Sequence, residues 1–175
     1  MIKNKQKKLI VLQILPELNS GGVERGTLEV GKYLVDKGHS SIVISGGGRM
    51  KKQLIKDGSK HIQWEIGKKS LFTLRYVLIL ARFIVNNKVD ILHVRSRFPA
   101  WICFFALKII SAKKRPSFIT TFHGPYSVNF YSEIMTKGDR VIVISETIKK
   151  YVLKNYKINP DKLFLNYRGV DSLEF

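Results

Sequence analysis

The sequence contains very little cysteine and few acidic residues. One cysteine, Cys103, among 175 residues excludes an intrachain disulfide framework and a metal site built from several cysteines, and it fits a reducing compartment. Only 13 Asp and Glu stand against 31 Lys and Arg, so the formal net charge is +18. This balance favours an anionic partner: a nucleic acid, an anionic membrane surface or a phosphorylated substrate.

Long hydrophobic runs are also lacking. The most apolar stretch, residues 71–85, contains Arg75 and Arg82, and its uncharged parts fall far short of the roughly 20 residues that a membrane-spanning helix needs. The first apolar run, 9–15, ends at Pro16 without the small-residue cleavage site of a secretory signal. The remaining composition, 45% hydrophobic and 25% charged, is typical of a globular protein, and we expect a cytoplasmic one.

Short β-branched runs alternate with helical patterns along the chain. The predicted strands are residues 9–15, 41–45, 61–65, 90–94, 117–121, 140–144 and 162–166. The predicted helices are residues 24–37, 50–57, 70–87, 98–110 and 146–156, with one more short helix before the sixth strand. Alternation without hairpin signals indicates βαβ units. Right-handed crossovers then give a Rossmann-like, doubly wound α/β domain with a mostly parallel sheet and helices on both faces.

Chemically suggestive residues follow four of these strands, in segments 19–25, 95–97, 122–126 and 145–147. In doubly wound sheets ligands bind at the carboxyl ends of the strands, so we expect these segments to form the site. Gly21 and Gly22 open a helix whose amides and dipole can hold a phosphate, although a tight turn explains the pair equally well. The glycine spacing matches neither the dinucleotide fingerprint nor a P-loop, which argues against NAD and ATP.

His123 is the candidate for chemistry. Most lone histidines are structural, but this one lies beside Gly124 after a strand, where a neutral imidazole can bind a sugar hydroxyl or stabilise developing charge. His93, within a strand, is interpreted as packed structure. No histidine and acidic residue show metal-ligand spacing.

Arg95 and Arg97 flank Ser96 just beyond a strand. Their guanidinium groups suit phosphate or carboxylate; one arginine solvated and the other paired with an acid is an equal alternative. Ser145 precedes a helix that starts at Glu146, which is typical of an N-cap.

Five segments, taken in order, resemble the N-terminal domain of a family 4 glycosyltransferase with the GT-B fold. They are ILPELNSGGVERGTLEVGKYLVDKGHSSIVIS, VDILHVRSRFPAW, FITTFHGPYS, GDRVIVISETIKKYV and NYRGVD. The Gly-Gly-x-Glu, Thr-Phe-His-Gly, Ile-Ser-Glu and Arg-Gly-Val-Asp elements carry the resemblance, and their order makes it specific. The His-Val-Arg-Ser-Arg variant further resembles enzymes of bacterial cell-envelope lipopolysaccharide biosynthesis.

The resemblance implies a retaining, metal-independent transfer of a sugar from a nucleotide-sugar to a cell-envelope glycan or lipid-linked acceptor, with no cofactor. It implies a catalytic position for His123 near the reacting sugar. Donor phosphate and sugar binding would fall to Gly21, Gly22 and Glu24. Acceptor or phosphate binding would fall to Arg95, Ser96, Arg97, Gly124 and Tyr126, and Ser145 and Glu146 would form a cleft wall.

The family closes two Rossmann-like domains over a cleft. Residues 1–171 would be the acceptor-side domain and 172–175 the start of the interdomain linker, with the C-terminal, donor-binding domain absent and supplied in cis or in trans. We therefore expect the 175-residue chain alone to transfer no sugar. Two alternatives stay open: a non-catalytic domain that binds a glycan or a partner, and a basic nucleic-acid-binding protein, for which no helix-turn-helix, zinc-finger or RNP motif is present.

The basic residues suggest a membrane partner. Lysines lie at positions 3, 5, 7 and 8 before the first strand, and others at 51, 52, 56, 68 and 69. On the predicted helix 70–87, Arg75, Arg82 and Asn86 share one stripe, and packing of its apolar remainder is favoured over burial in a lipid interface. We expect peripheral, electrostatic attachment to an anionic inner membrane surface.

Overall fold

Seven strands form the centre of the molecule in this computed structural model, which describes residues 7–169. They are β1 (Ile10–Ile14), β2 (Ser40–Ser45), β3 (Lys60–Gln63), β4 (Ile91–Val94), β5 (Ser117–Phe122), β6 (Arg140–Val143) and β7 (Leu163–Leu165). The strand order is β3-β2-β1-β4-β5-β6-β7, and every pairing is parallel. The predicted doubly wound, Rossmann-like sheet is confirmed.

In the described part of the chain, six α-helices connect the strands. They are α1 (Gly22–Asp36), α2 (Lys51–Lys56), α3 (Arg75–Asn86), α4 (Arg97–Ile109), α5 (Phe130–Glu133) and α6 (Glu146–Asn155). Short 3₁₀ helices lie at Leu71–Leu74, Ala112–Lys114, Ile134–Thr136 and Pro160–Lys162. Within residues 7–169 no helix is long and apolar enough to cross a membrane.

Side chains that alternate along the strands pack on opposite faces of the sheet. On β2, Ile42 and Ile44 belong to the larger hydrophobic core, which includes buried residues of α3, α4 and α6, whereas Val43 packs with Leu28 and Leu54 of α1 and α2. Because both faces of a parallel sheet are covered, its central strands are mostly apolar, and their few polar residues, such as Gln13 and His93, are buried. Helices on both faces confirm the predicted layers.

The helix predicted over residues 70–87 is divided. The Ser70 hydroxyl accepts a hydrogen bond from the Phe72 amide at 3.3 Å, and the Thr73 hydroxyl donates to the Lys68 carbonyl at 2.6 Å. These local bonds hold a 3₁₀ turn, and regular α-helix begins only at Arg75. Apolar periodicity cannot distinguish the two kinds of helix, so the predicted start was wrong.

The strand order reverses between β1 and β4, which brings the carboxyl ends of β1, β4 and β5 side by side. The Pro16 carbonyl accepts a hydrogen bond from the Gly46 amide at 2.8 Å, so the loop after β2 supports the loop after β1. Lysines 3 and 5, the predicted domain limit at 171 and the linker 172–175 lie outside the described residues. The rim at this reversal is where the predicted segments meet.

Candidate functional site

A cleft of about 380 Å³ opens at the carboxyl ends of β1, β4 and β5. Its walls are Pro16, Val23, Glu24, Arg95, Ser96, His123, Gly124, Pro125 and Tyr126. The fold therefore brings together six predicted site residues from the first turn of α1 and the segments that follow β4 and β5: Glu24, Arg95, Ser96, His123, Gly124 and Tyr126. A Cβ atom at Gly124 would meet nothing within 4 Å, so the cleft is open at this point.

His123 is held as a neutral imidazole. Burial, together with the charges of Arg95 and Arg168, lowers its pKa to about 3. Both ring nitrogens are buried, and neither has a hydrogen-bond partner among the described residues. A neutral imidazole carries one donor and one acceptor, and leaving buried polar groups unpaired costs about 1–3 kcal/mol each. Because His123 lines the cleft, a molecule bound there can pair with both ring nitrogens.

Arg95 is a buried cation held by neutral groups. Its Nε and Nη2 atoms donate to the Gln13 side-chain oxygen at 3.3 and 2.9 Å, and Nη2 also reaches the Gly26 carbonyl at 3.4 Å. Burial lowers the pKa of Arg95 to about 10, and the charge of Arg168 contributes. Neither predicted environment, solvent or a paired acid, describes this arginine. Its positive charge remains beside the cleft. Its hydrogen bonds to Gln13 of β1 and Gly26 of α1 connect the helix to the sheet.

Arg168 was not predicted as a site residue. Its guanidinium group lies against the first two turns of α1, where a Cβ atom at Gly26 would be 2.5 Å from Nη2 and one at Gly22 would also clash. Because glycine has no side chain, Gly22 and Gly26 leave room for the Arg168 guanidinium group to lie against the helix. β7 is separated from β1 by β4, β5 and β6, so only the folded chain reveals the approach. The Arg-Gly-Val-Asp element was the available sequence signal.

Gly21 is required by the backbone at the start of α1. Its φ of 130° favours glycine, and it is the N-cap, so no side-chain cap bonds to the first turn. The tight-turn interpretation is confirmed by this geometry. A phosphate role for Gly21 and Gly22 stays a prediction, supported by uncapped helix amides and by Arg168 beside them.

Arg97 lies outside the cleft walls, among the aromatic residues that support them. Its guanidinium carbon is 4.8 Å from the Tyr126 ring centroid and 5.3 Å from that of Tyr131, and Nη1 donates to the Ser132 hydroxyl at 3.0 Å. The Tyr151 hydroxyl donates to the Tyr126 carbonyl at 2.6 Å. These contacts fix the loop that carries His123, and direct ligand binding by Arg97 remains a prediction.

Ser145 has the structural role that its position indicated. Its hydroxyl accepts a hydrogen bond from the Ile148 amide at 3.2 Å and caps α6. Glu146 is exposed in the first turn, and neither residue belongs to the described walls of the cleft. His93 is buried and bonded to the Thr121 hydroxyl at 2.7 Å, which confirms it as packed structure. Within residues 7–169 no three His, Cys, Asp or Glu side chains cluster as metal ligands.

The family model for Glycosyltransferase Family 4 matches residues 20–172. The chain therefore belongs to glycosyltransferase family 4, and its sheet is the Rossmann-like N-terminal domain of the GT-B fold. A glycosyltransferase from Rickettsia africae is 41% identical with a TM-score of 0.81, and the match covers 94% of this chain and 44% of that one. This chain thus spans less than half of that relative's length.

Two further solved structures share the fold. Anabaena HepE in complex with UDP and glucose is 14% identical with a TM-score of 0.71, over 93% of this chain and 45% of that one. The lipopolysaccharide outer core galactosyltransferase WaaB is 18% identical with a TM-score of 0.67, over 92% and 46%. At these identities the likeness concerns the fold alone. No curated protein sequence matches the chain significantly.

Proposed function

We propose that this chain is the acceptor-side domain of a retaining, metal-independent glycosyltransferase. Its donor is a nucleotide-sugar, and its acceptor is a cell-envelope glycan or a lipid-linked sugar. The observation that carries the proposal is the cleft itself, in which the neutral, unpartnered His123 lies beside the buried charge of Arg95 and the charge of Arg168. Such a site suits a ligand with hydroxyls next to a diphosphate.

Sugar transfer releases a negatively charged nucleoside diphosphate, and the site must stabilise this charge. The bond between the anomeric carbon and the diphosphate oxygen breaks, and the acceptor hydroxyl oxygen bonds to that carbon. The nucleoside diphosphate departs, and the hydroxyl proton is released with it. Arg168 and the uncapped first turn of α1 stabilise the diphosphate, because fixed positive groups act strongly where negative charge develops.

His123 positions the sugar in this proposal. A pKa of about 3 keeps the imidazole neutral at physiological pH, so it offers one donor and one acceptor to sugar hydroxyls and no charge. Gly124 leaves room for the ring of a ligand, since the space beside it is open. Glu24 and Tyr126 complete the walls around the bound sugar.

Relatives support a UDP-sugar as the donor. HepE was crystallised with UDP and glucose, and with UDP-glucose, and WaaB is described as a galactosyltransferase of the lipopolysaccharide outer core. We extend this donor class, and an acceptor of the cell envelope, to the present chain. A lipid-linked acceptor also fits the net charge of +18, which favours an anionic membrane surface.

The test is a chimera with the Rickettsia africae enzyme, of which the chain spans 44% at 41% identity. Residues 1–169 of this chain replace the matching part of that enzyme, and nucleoside diphosphate release from a panel of nucleotide-sugars is measured with and without a chelator. We expect release that persists in the chelator and falls about a hundredfold in His123→Ala. Product NMR then checks retention of the anomeric configuration.

The matched control is Ser127→Ala, an exposed substitution on the same loop. A folded chimera that releases no nucleotide from any donor, or one in which His123→Ala and Ser127→Ala are equally active, would contradict the proposal. Release that stops when metal is removed would overturn its metal-independent part.

A further inference from the structure

An unusual surface lies between β3 and α3. Leu71 and Phe72, in the 3₁₀ turn, are 84% and 81% exposed. Leu74, at the end of that turn, and Leu78 and Ile79, on the outward stripe of α3, are exposed as well. The opposite stripe of the same helix is buried in the core. A surface helix ordinarily turns polar residues to water, so five adjoining exposed apolar side chains indicate an interaction surface.

The cations around these side chains have few acids to offset them. Lys68, Lys69, Arg75 and Arg82 are exposed on the same segment, and the sequence contains no acidic residue between Glu65 and Asp90. Glu65 pairs with Lys68 at 3.2 Å across exposed surface, where such a bridge contributes little. We call Lys68, Lys69, Leu71, Phe72, Leu74, Arg75, Leu78, Ile79 and Arg82 the basic apolar surface.

This surface adjoins the cleft through one aromatic ring. The Lys69 ammonium lies 5.4 Å from the Tyr131 ring centroid, and the Arg97 guanidinium carbon lies 5.3 Å from the same centroid. Arg97 also contacts the ring of Tyr126, a cleft wall. Phe130, next to Tyr131 in the chain, is 76% exposed.

We propose that the basic apolar surface inserts into an anionic lipid bilayer, with Leu71 and Phe72 entering the acyl boundary and the surrounding cations binding headgroup phosphates. Apolar insertion combined with anionic headgroups is the combination that holds interfacial helices on membranes. The proposal rests on the proposed function, because it brings a lipid-linked acceptor to the edge of the cleft. The expected packing of this helix is confirmed for its buried stripe, and the basic apolar surface lies on the other stripe.

The experiment uses the 175-residue chain and vesicles of phosphatidylglycerol and phosphatidylcholine. Leu71→Ser/Phe72→Ser is compared with Tyr33→Ser/Ile55→Ser, which removes two exposed apolar side chains from α1 and α2. Lys68→Glu/Lys69→Glu is compared with Lys51→Glu/Lys52→Glu on α2. We expect the first variant of each pair to lower the vesicle partition coefficient about tenfold or more, and the second to change it less than twofold.

A second measurement reports depth. Cys103 is buried, so a cysteine placed at Phe72 or at Ile55 takes an environment-sensitive dye selectively. Vesicles should shift the emission of the dye at position 72 to the blue and leave the dye at position 55 unchanged. In high salt, binding should weaken but the remaining blue shift should persist.

Equal losses within the pairs, equal shifts of the two dyes, or complete loss of binding in salt would overturn insertion. A blue shift at position 72 that depends on protein concentration without vesicles would instead assign the surface to a second copy of the chain, and this also overturns the proposal. Vesicle binding requires no sugar transfer, and the chimera assayed on a soluble acceptor requires no vesicles, so the two proposals fail separately.

Discussion

His123 illustrates how tertiary burial changes the chemistry of a single residue. The sequence pattern identified it through its position after a strand and beside a glycine. Its protonation state depends on groups that are distant in the chain, since Arg95 and Arg168 lie 28 and 45 positions away. Burial adds the largest effect. Only the folded structure combines these three causes in one imidazole.

The stability of the protein should report this depressed pKa. Unfolded His123 titrates near 6.5 and folded His123 near 3, so between these values the unfolded chain binds more protons and stability falls as pH is lowered. From pH 7 to pH 5 the wild-type chain should lose about 1–2 kcal/mol more than His123→Asn. Urea unfolding at the two pH values measures the difference, and parallel losses would contradict the assigned environment.

Arg95 shows a residue whose type was predictable and whose partner was not. Two guanidinium groups beyond a strand indicated an anion site, but the closest partner of Arg95 is the amide of Gln13, on a neighbouring strand. Neutral partners satisfy the geometry of a guanidinium without cancelling its charge. The Arg95 charge therefore contributes to the electrostatic potential of the cleft, while its hydrogen bonds hold the surrounding structure together.

At the scale of elements, the start of α1 depends on what lies against it. Gly22 and Gly26 form a surface without side chains, and Arg168 occupies it. The positive end of the helix dipole and the arginine charge therefore lie at the same end of α1. Glycine pairs at strand-to-helix turns are common for backbone reasons, so the sequence left a turn and a phosphate site as equal interpretations.

Gly22→Ala tests this arrangement. The added methyl group displaces the flexible end of Arg168 while the helix gains a better helix former, so stability should be unchanged or slightly raised. In the chimera, nucleotide release should fall about tenfold to a hundredfold, as in Arg168→Gln, because each change removes one charge-assisted contact to phosphate.

The double variant Gly22→Ala/Arg168→Gln should fall no further than either single variant, because both remove the same interaction. Arg140→Gln, at the amino end of β6, is the control for lost charge and should keep full release. If the losses of nucleotide release in the double variant are additive, Gly22 and Arg168 act independently and the proposed shared interaction is contradicted.

The segment before α3 shows the limit of periodicity. The pattern of residues 70–87 predicted a helix and favoured its packing on the sheet. In the structure the first turn is 3₁₀, and exposed apolar side chains occupy the outward stripe together with Arg75 and Arg82. A sequence shows which residues share one face of a helix, but how deeply that face is buried depends on how closely α4 packs against it.

At the scale of the whole molecule, the chain spans 44% of the Rickettsia africae glycosyltransferase that it resembles. Among the described residues, its cleft is open to solvent and is lined by the start of α1 and by the segments after β1, β4 and β5 at the rim of one sheet. A diphosphate bound there would be open to water on its other side, which weakens every electrostatic contact.

We therefore expect the 175-residue chain alone to release no nucleoside diphosphate from any nucleotide-sugar, under the conditions in which the chimera is active. Radiolabelled sugar transfer, measured at equal protein concentration, is the test. Turnover by the purified chain, abolished by His123→Ala, would contradict this expectation and would make the domain catalytic by itself.

The sequence by itself determined the architecture and the rim at which the candidate site lies. Alternating β-branched and amphipathic segments specify βαβ units, because each element must bury one face. The right-handed crossovers between parallel strands then leave few possible topologies. Residues after the strands necessarily gather at one rim. The family followed from the order of five short segments, since the loops that meet at that rim must follow one another in a set order.

Tertiary structure alone decided which of these residues meet. It separated Arg97 from the cleft, brought Arg168 to α1 from the far edge of the sheet, and left Leu71 and Phe72 exposed. Each outcome depends on contacts between residues far apart in sequence, and on burial, which no local pattern encodes. Charge and protonation in the cleft follow from the same distances and the same exclusion of water.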